Sequence, residues 1–313
     1  MEHRPYYSAN QYYRELFGEK AYKLSLDAGF TCPNRDGSLG TRGCVFCSAG
    51  GSGDFAQGFQ GSVSKQLDGA IDRIAKKYSG SKYIAYFQAF TNTYAPIERL
   101  REIFVPVISD ARISGLSIAT RPDCLEDGKT ELLKELAEQK PVWVELGLQT
   151  INEKTAEYIR RGYKLPVFED ALSRLKRSGI PVTVHVIIGL PGEDRSDCIK
   201  CAEYLADRQV EGIKIQLLHI LRGTDLAADY EAGLFKATER AEYISTVVDM
   251  LELLPPDTVI HRLTGDGPRK ILIAPQWSTD KKNILNLINR EFAIRNTYQG
   301  RKYRNGSRIN YAL

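Results

Sequence analysis

The sequence predicts an α/β fold, a parallel sheet covered by helices. Two observations carry this reading. Between Tyr22 and Ile220, six apolar segments of strand length alternate with amphipathic segments of helix length. Several of those strands are apolar on both faces, as strands covered on both sides are. Right-handed crossovers curl such units into a barrel or wind them about an open sheet. In either case ligands gather at the C-terminal strand ends.

Residues 1–20 are polar and aromatic and read as an irregular or short helical arm. Tyr22–Leu26 alternates and forms the first strand, which runs into a cysteine-rich loop. Residues 61–78 read as a helix because Val63, Leu67, Ile71 and Ile74 share one stripe. Tyr83–Ala89 is the second strand, and Pro96–Ser109 a helix that Pro106 should bend or end. The remaining strands are expected at 116–120, 142–149, 182–190 and 213–220. The helices between them fall at 129–139, 152–161, 167–178 and 194–208. Past Gly223 the pattern changes. A helix at 238–254 closes on Pro255-Pro256, a short strand follows at 258–263, and residues 278–297 form an amphipathic helix.

Cys32, Cys44 and Cys47 lie in one loop, spaced C-x11-C-x2-C, with Pro33, Asn34, Asp36, Gly37, Gly40 and Gly43 between them. Those turn formers let the chain fold back and bring three sulfurs toward one point. A disulfide would leave one thiol over, whereas a soft metal centre uses all three. A closed zinc site needs a fourth ligand, and the nearest histidines are His3 and His185. An iron–sulfur cubane uses three thiolates and leaves one iron open. The spacing alone admits both.

Followed by Ser48-Ala49-Gly50-Gly51, the loop resembles the cluster loop of radical SAM enzymes. More narrowly it is similar to the Elongator catalytic subunit branch, whose first cysteine also sits far from a C-x2-C pair. That resemblance implies a partial (β/α)6 TIM-type barrel of the radical SAM kind with a C-terminal α/β extension. It implies a radical SAM core over residues 1–235, with the cluster loop at 32–47, and an extension with a basic tail over 236–313. It also implies a [4Fe-4S] cluster on Cys32, Cys44 and Cys47 and S-adenosylmethionine (SAM) at its open iron. One electron entering the sulfonium would release a 5′-deoxyadenosyl radical that abstracts hydrogen from substrate.

The strand ends supply the expected SAM contacts. Gln88 and Thr91 lie at the end of the second strand and just past it, where relatives usually carry a Gly-Gly-Glu-like segment. Thr120 and Arg121 belong to a Thr-Arg-Pro-Asp run similar to that of the branch. Glu145 and Gln149 share one face of the fourth strand, and a ribose or methionine carboxylate would satisfy these inward polar groups. Arg160 and Arg161 stand where relatives carry an Arg-Gly-His run, and one such arginine is expected on the SAM carboxylate. Gly189 and Pro191 sit in Gly-Leu-Pro-Gly-Glu, the turn that packs on adenine in this superfamily. His185, His261 and Asp266 are candidate catalytic groups near strand ends. Cys198 and Cys201 form a second C-x2-C, but within a helix, where cysteine packs as a small hydrophobe.

No apolar run approaches bilayer length, and the N-terminus lacks the apolar core of a signal peptide. The expectation is a cytoplasmic protein with no membrane partner, whose thiols stay reduced. Net charge is +4, but Trp277–Leu313 holds eight basic residues against two acidic ones, so the rest of the chain is net acidic. A basic tail with Tyr298, Tyr303 and Tyr311 suits phosphates and unpaired bases. Relatives in the branch act on C5 of wobble uridine in tRNA. The resemblance therefore implies a tRNA partner, a flavodoxin- or ferredoxin-type electron donor, and an aminomethyl-type remodelling without an acetyltransferase domain. Two other readings stay open: radical SAM chemistry on a small metabolite or porphyrin, and a non-catalytic zinc-stabilised RNA-binding module.

Overall fold

The computed structural model describes residues 5–51, 62–76, 78, 80–265 and 267–304. Its chain divides into two compact units, Asn10–Leu148 with Ala156–Val184, and Met1–Ala9 with Gln149–Thr155 and His185–Leu313.

The first unit holds helix α1 (Ala9–Phe17), strand β1 (Ala21–Leu26), α2 (Val63–Ala75), β2 (Lys82–Phe87) and α3 (Ile97–Ser109). Then come β3 (Ile113–Thr120), α4 (Asp127–Ala137), β4 (Val142–Gln149), the second half of α5 (Glu153–Tyr158), α6 (Leu165–Arg177) and the start of β5 (Val182–Ile188). Strands β1 to β4 pair in sequence order and in parallel, with Leu26 opposite Phe87, Phe87 opposite Ile118, and Thr120 opposite Leu146. The Val144 amide donates to the Pro181 carbonyl at 3.1 Å and brings β5 alongside β4.

The residue pattern explains the layering. Phe87 points to the helix side and meets Phe104 of α3 edge-on at 5.0 Å. Its neighbour Tyr86 points the other way, toward Glu145. The expected arm is helix α1, whose Tyr12, Tyr13 and Phe17 rings gather on Trp143 at 5.5–6.4 Å. Trp143 opens β4, so this cluster closes the N-terminal ends of the strands. Pro106 neither ends nor splits α3, which runs on to Ser109.

The second unit contains the end of β5, α7 (Arg195–Asp207), β6 (Gly212–Leu217), β7 (Ile220–Leu221), α8 (Asp225–Glu231) and α9 (Arg240–Leu253). It continues with β8 (Val259–Arg262), β9 (Leu272–Ala274) and α10 (Lys281–Ile294). Asp194 caps α7 in a reciprocal box with Asp197. Strand β8 pairs in parallel with β6. The Ile260 amide donates to the Tyr7 carbonyl at 2.8 Å, laying the N-terminal segment along β8.

The expected sixth strand is cut short. β6 ends at Leu217, and Ile220–Leu221 leaves to pair antiparallel with β9. Strands of two or three residues are too short to leave a period in the sequence, which is why periodicity does not reveal this small sheet. Among the described residues, no helix is long and apolar enough to cross a membrane.

Candidate metal and cofactor site

The cysteine loop leaves the C-terminal end of β1 and folds on itself. Amides of Arg35 and Asp36 donate to the Cys32 carbonyl at 2.8 and 3.2 Å, Gly43 to Asn34 at 2.7 Å, and Cys47 to Cys44 at 3.0 Å. All three cysteines are free thiols and half-buried. Burial pushes the Cys44 thiol up to about 12, the neighbouring Cys47 and Cys32 add to the rise, and Arg121 and Asn34 oppose it. The three sulfurs therefore share one electrostatic environment.

A closed zinc site takes four protein ligands, whereas a cubane spreads its thiolates over separate irons and takes three of them with no fourth protein ligand. Cys32, Cys44 and Cys47, three thiols in one loop, are the donor set that a cubane takes.

A turn after α5 holds the loop in place. Val45 donates to the Ile159 carbonyl at 3.2 Å. Asn34 Nδ2 reaches the Arg160 carbonyl at 2.6 Å and lies 3.4 Å from Cys44 Sγ. Gly162 has φ +84°, and a Cβ there would stand 2.7 Å from Asn34 Oδ1 and 3.0 Å from an Arg121 nitrogen. Only glycine meets both demands.

Two guanidiniums lie close to the Tyr163 ring. Arg121 lies 5.0 Å and Arg161 4.9 Å from its ring centre. Burial raises the phenol above its ordinary value against the pull of both arginines, and its hydroxyl donates to the Gly147 carbonyl. Arg161 is fully buried, with Nε on the Tyr163 carbonyl at 2.9 Å and Nη1 on Leu148 at 3.3 Å. Those bonds lock the turn to the end of β4. Arg160 is half-buried with φ +56°. Arg121 forks onto Asp123 at 2.9 and 2.7 Å. Burial works against its charge, but Asp123 outweighs that and holds its pKa above the ordinary value, with Tyr163 and Cys32 adding. Among the expected arginines, Arg121 has a field that reaches the Cys32 and Cys44 thiols.

The end of β2 supports the loop from another side. A Cβ on Gly51 would fall 2.3 Å from the Phe90 ring, so Gly51 lies flat against it. Arg35 sits 5.7 Å from that ring centre and donates to the Cys47 carbonyl at 3.2 Å. Thr91 donates its amide to Thr31 at 3.2 Å. Gln88 accepts from Ser25 Oγ at 3.5 Å. Thr120 is 2.5 Å from the Thr93 hydroxyl, which donates to the Cys124 carbonyl. By strand alternation Thr120 lies on the opposite face of β3 from Ser117.

Glu145 finds its partners within the chain rather than requiring a ligand for them. Lys23 Nζ lies 2.7 Å from Oε1, Ser117 Oγ donates to the same oxygen at 2.8 Å, and Tyr86 donates to Oε2 at 2.8 Å. Burial alone would lower the Lys23 pKa, but Glu145 more than offsets it and holds the ammonium above its ordinary value. Sequence reasoning misses Lys23. Its only signal is a lysine on the same face of β1 as Ser25.

The second unit carries the other expected residues. Gln149, at the end of β4, has φ +66°, and its Oε1 is buried with no hydrogen-bond partner among the described residues. An orphaned acceptor of that kind suits a ligand donor. Gly189 has φ +90°, and a Cβ there would meet Thr238 Oγ1 at 2.2 Å. Pro191 follows in the tight turn closed by Glu193 donating to Leu190 at 3.1 Å. His185 Nδ1 is 3.3 Å from Gln216 Nε2. His261 is half-buried in β8. Asp266 lies outside the described residues. Cys198 and Cys201 are buried in α7, and burial raises both thiols, Cys198 to about 12. Both lie on the packed face of the helix, where cysteine serves as a small hydrophobe.

The family model described as the Radical SAM superfamily matches residues 37–205, and the Radical_SAM C-terminal domain model matches residues 210–293. The chain belongs to the radical SAM superfamily, and with that membership go a [4Fe-4S] cluster and SAM. It is similar to YtqA of Bacillus subtilis, with 46% identity over 95% of this chain and 92% of that protein. It is also similar to a tRNA uridine(34) acetyltransferase of Methanocaldococcus jannaschii, with 28% identity over 53% of this chain and 30% of that one. Among solved structures it matches an Elp3 from Methanocaldococcus infernus, with TM-score 0.67 and 17% identity over 89% of this chain and 64% of that structure. That likeness gives the fold, the α/β partial barrel of radical SAM enzymes. Membership sets aside the non-catalytic zinc module.

Proposed function

We propose that this radical SAM enzyme holds its cluster on Cys32, Cys44 and Cys47 and remodels the C5 substituent of wobble uridine in tRNA. The reading of the metal site rests on one observation. Three free thiols share a loop at the end of β1, and that loop is clamped by Asn34 and the 159–163 turn. The substrate reading is supported by likeness to a protein named for acetylating tRNA uridine 34, although the match spans only 30% of that relative.

When bound, the cluster and SAM supply one-electron cleavage of the sulfonium and a hydrogen-abstracting radical. The chain's own residues position and shield. Asn34 donates toward the Cys44 sulfur. Arg121 holds positive charge beside the thiolates while Asp123 fixes its orientation. Gln149 offers a buried acceptor to a ligand donor. The electrons come from a flavodoxin- or ferredoxin-type donor.

Two measurements test the reading. Anaerobic reconstitution should give a chain with about four irons and four sulfides, and Cys44→Ala should lose them. An intact cluster in that variant would contradict the ligand assignment. Nucleoside analysis of tRNA from a strain lacking the gene should show a changed wobble uridine, and an unchanged profile would remove the tRNA substrate.

A further inference from the structure

We infer that the outer face of α10 and the turn that follows it are an RNA-docking surface. The surface takes the phosphates and an unpaired base of the tRNA. The inference rests on the tRNA reading above and adds where the RNA is held.

The basic groups of this region fall into two sets. Arg295 is engaged inward, on Asp249 at 2.8 Å and on Glu291 at 2.7 Å. Lys302 is engaged on Glu252 at 2.5 Å. Those pairs tie α10 and the tail to α9. Lys282, Arg290 and Arg301 are exposed, and among the described residues none has a carboxylate within ion-pair distance. Structural charges are thus paired while a second set faces solvent.

The exposed face is also free of acid. Lys282, Asn286, Asn289, Ala293 and Asn296 recur every three or four residues and line one open groove of about 650 Å3, with Phe292 in its floor. Among the described residues, no Asp or Glu lines it. A lysine among three carboxamides provides donors for phosphate oxygens and both donors and acceptors for base edges. One turn further on, Tyr298 is 51% exposed, with the Arg301 guanidinium 5.7 Å from its ring centre. An exposed aromatic backed by a guanidinium is a stacking platform for an unpaired base. A protein partner of acidic character would satisfy the lysine but would leave the carboxamides and the platform without purpose. A polyanion carrying bases uses all of them.

The experiment is anisotropy of a labelled tRNA transcript titrated with the full chain between about 50 and 200 mM salt. Three variants are compared with wild type. Lys282→Glu with Arg290→Glu reverses two charges, Asn286→Asp with Asn289→Asp changes charge at constant shape, and Lys134→Glu, at an exposed position of α4, is the control. Both surface pairs should weaken binding at least about tenfold. The first pair should also flatten the salt slope by roughly one for each phosphate that is no longer neutralised. The control should change neither. Wild-type affinity in both surface pairs, or equal weakening by the control, overturns the docking surface and leaves the tRNA reading standing. A wild-type chain that does not bind tRNA overturns both. Photocrosslinking of unmutated chain to 4-thiouridine tRNA gives a second readout free of folding effects. Adducts should map to residues 282–301, and adducts confined elsewhere overturn the assignment.

Discussion

Asn34 Nδ2 bridges the Arg160 carbonyl, at 2.6 Å, and the Cys44 sulfur, at 3.4 Å. One carboxamide thus fixes the loop to its supporting turn and donates toward the sulfur of a proposed cluster ligand. Asn34→Ala should leave the Arg160 carbonyl without that partner and cost about 1–3 kcal/mol. It should also make the cluster's midpoint potential more negative, because a hydrogen bond to a thiolate favours the reduced state. Chemical denaturation and a redox titration followed by EPR check the two parts separately. An unchanged potential would remove the sulfur contact.

The Lys23–Glu145 pair sits on the inner face of the strands with Ser117 and Tyr86. Lys23→Met leaves a buried carboxylate without its cation and should destabilise by about 3–5 kcal/mol. Lys23→Met combined with Glu145→Met should cost much less than the sum of the single changes. Urea denaturation of the three variants measures the coupling, and simple additivity would show that the pair is not a unit.

Gly162→Ala should disturb the cysteine loop rather than the sheet. A Cβ there meets Asn34 and Arg121 at φ +84°, so the loss should exceed about 1 kcal/mol. Iron content after reconstitution should fall with it. Gly192→Ala is the comparison, since its φ is +85° with nothing within 4 Å. It should keep its iron, and equal loss of iron in both would point to strain alone.

Cys198→Ala and Cys201→Ala should retain wild-type iron and sulfide, in contrast to Cys44→Ala, because both thiols are packed in α7. A lowered iron content would make the second C-x2-C a metal site.

Burial raises the Glu193 carboxyl above its ordinary value, against hydrogen bonds from Thr150 and Thr155. The folded state therefore holds this proton more tightly than the unfolded chain. The stability that it contributes is full below the ordinary carboxylate range and is lost as pH rises through the raised value. Glu193→Gln should melt higher than wild type near neutral pH, and the difference should close below about pH 4. Thermal melts across that range check it, and a gap independent of pH would contradict the assignment.

Much of this is legible in sequence because it is local. Strand and helix positions follow from periodicities within a dozen residues, and the three thiols lie within sixteen positions of one another. The turn chemistry at Gly189 is equally visible. The small β7–β9 sheet is not, since its strands are too short to show a period. Alternation places Glu145 on the inner face, but it assigns the partners to a ligand, because a lysine 122 residues away leaves no trace in spacing.

By itself the sequence determined the α/β class, the loop that can gather a soft metal, and the basic character of the tail, all of which depend on neighbours along the chain. Tertiary structure alone decided that Asn34 reaches Cys44 and Arg160 and that Arg121 and Arg161 both approach the Tyr163 ring. It also decided that Arg295 and Lys302 are paired while, among the described residues, Lys282 and Arg290 face solvent. The physical reason is that desolvation and pairing depend on distance in space. A charge has the same spacing in the sequence whether it is buried against a carboxylate or left in water.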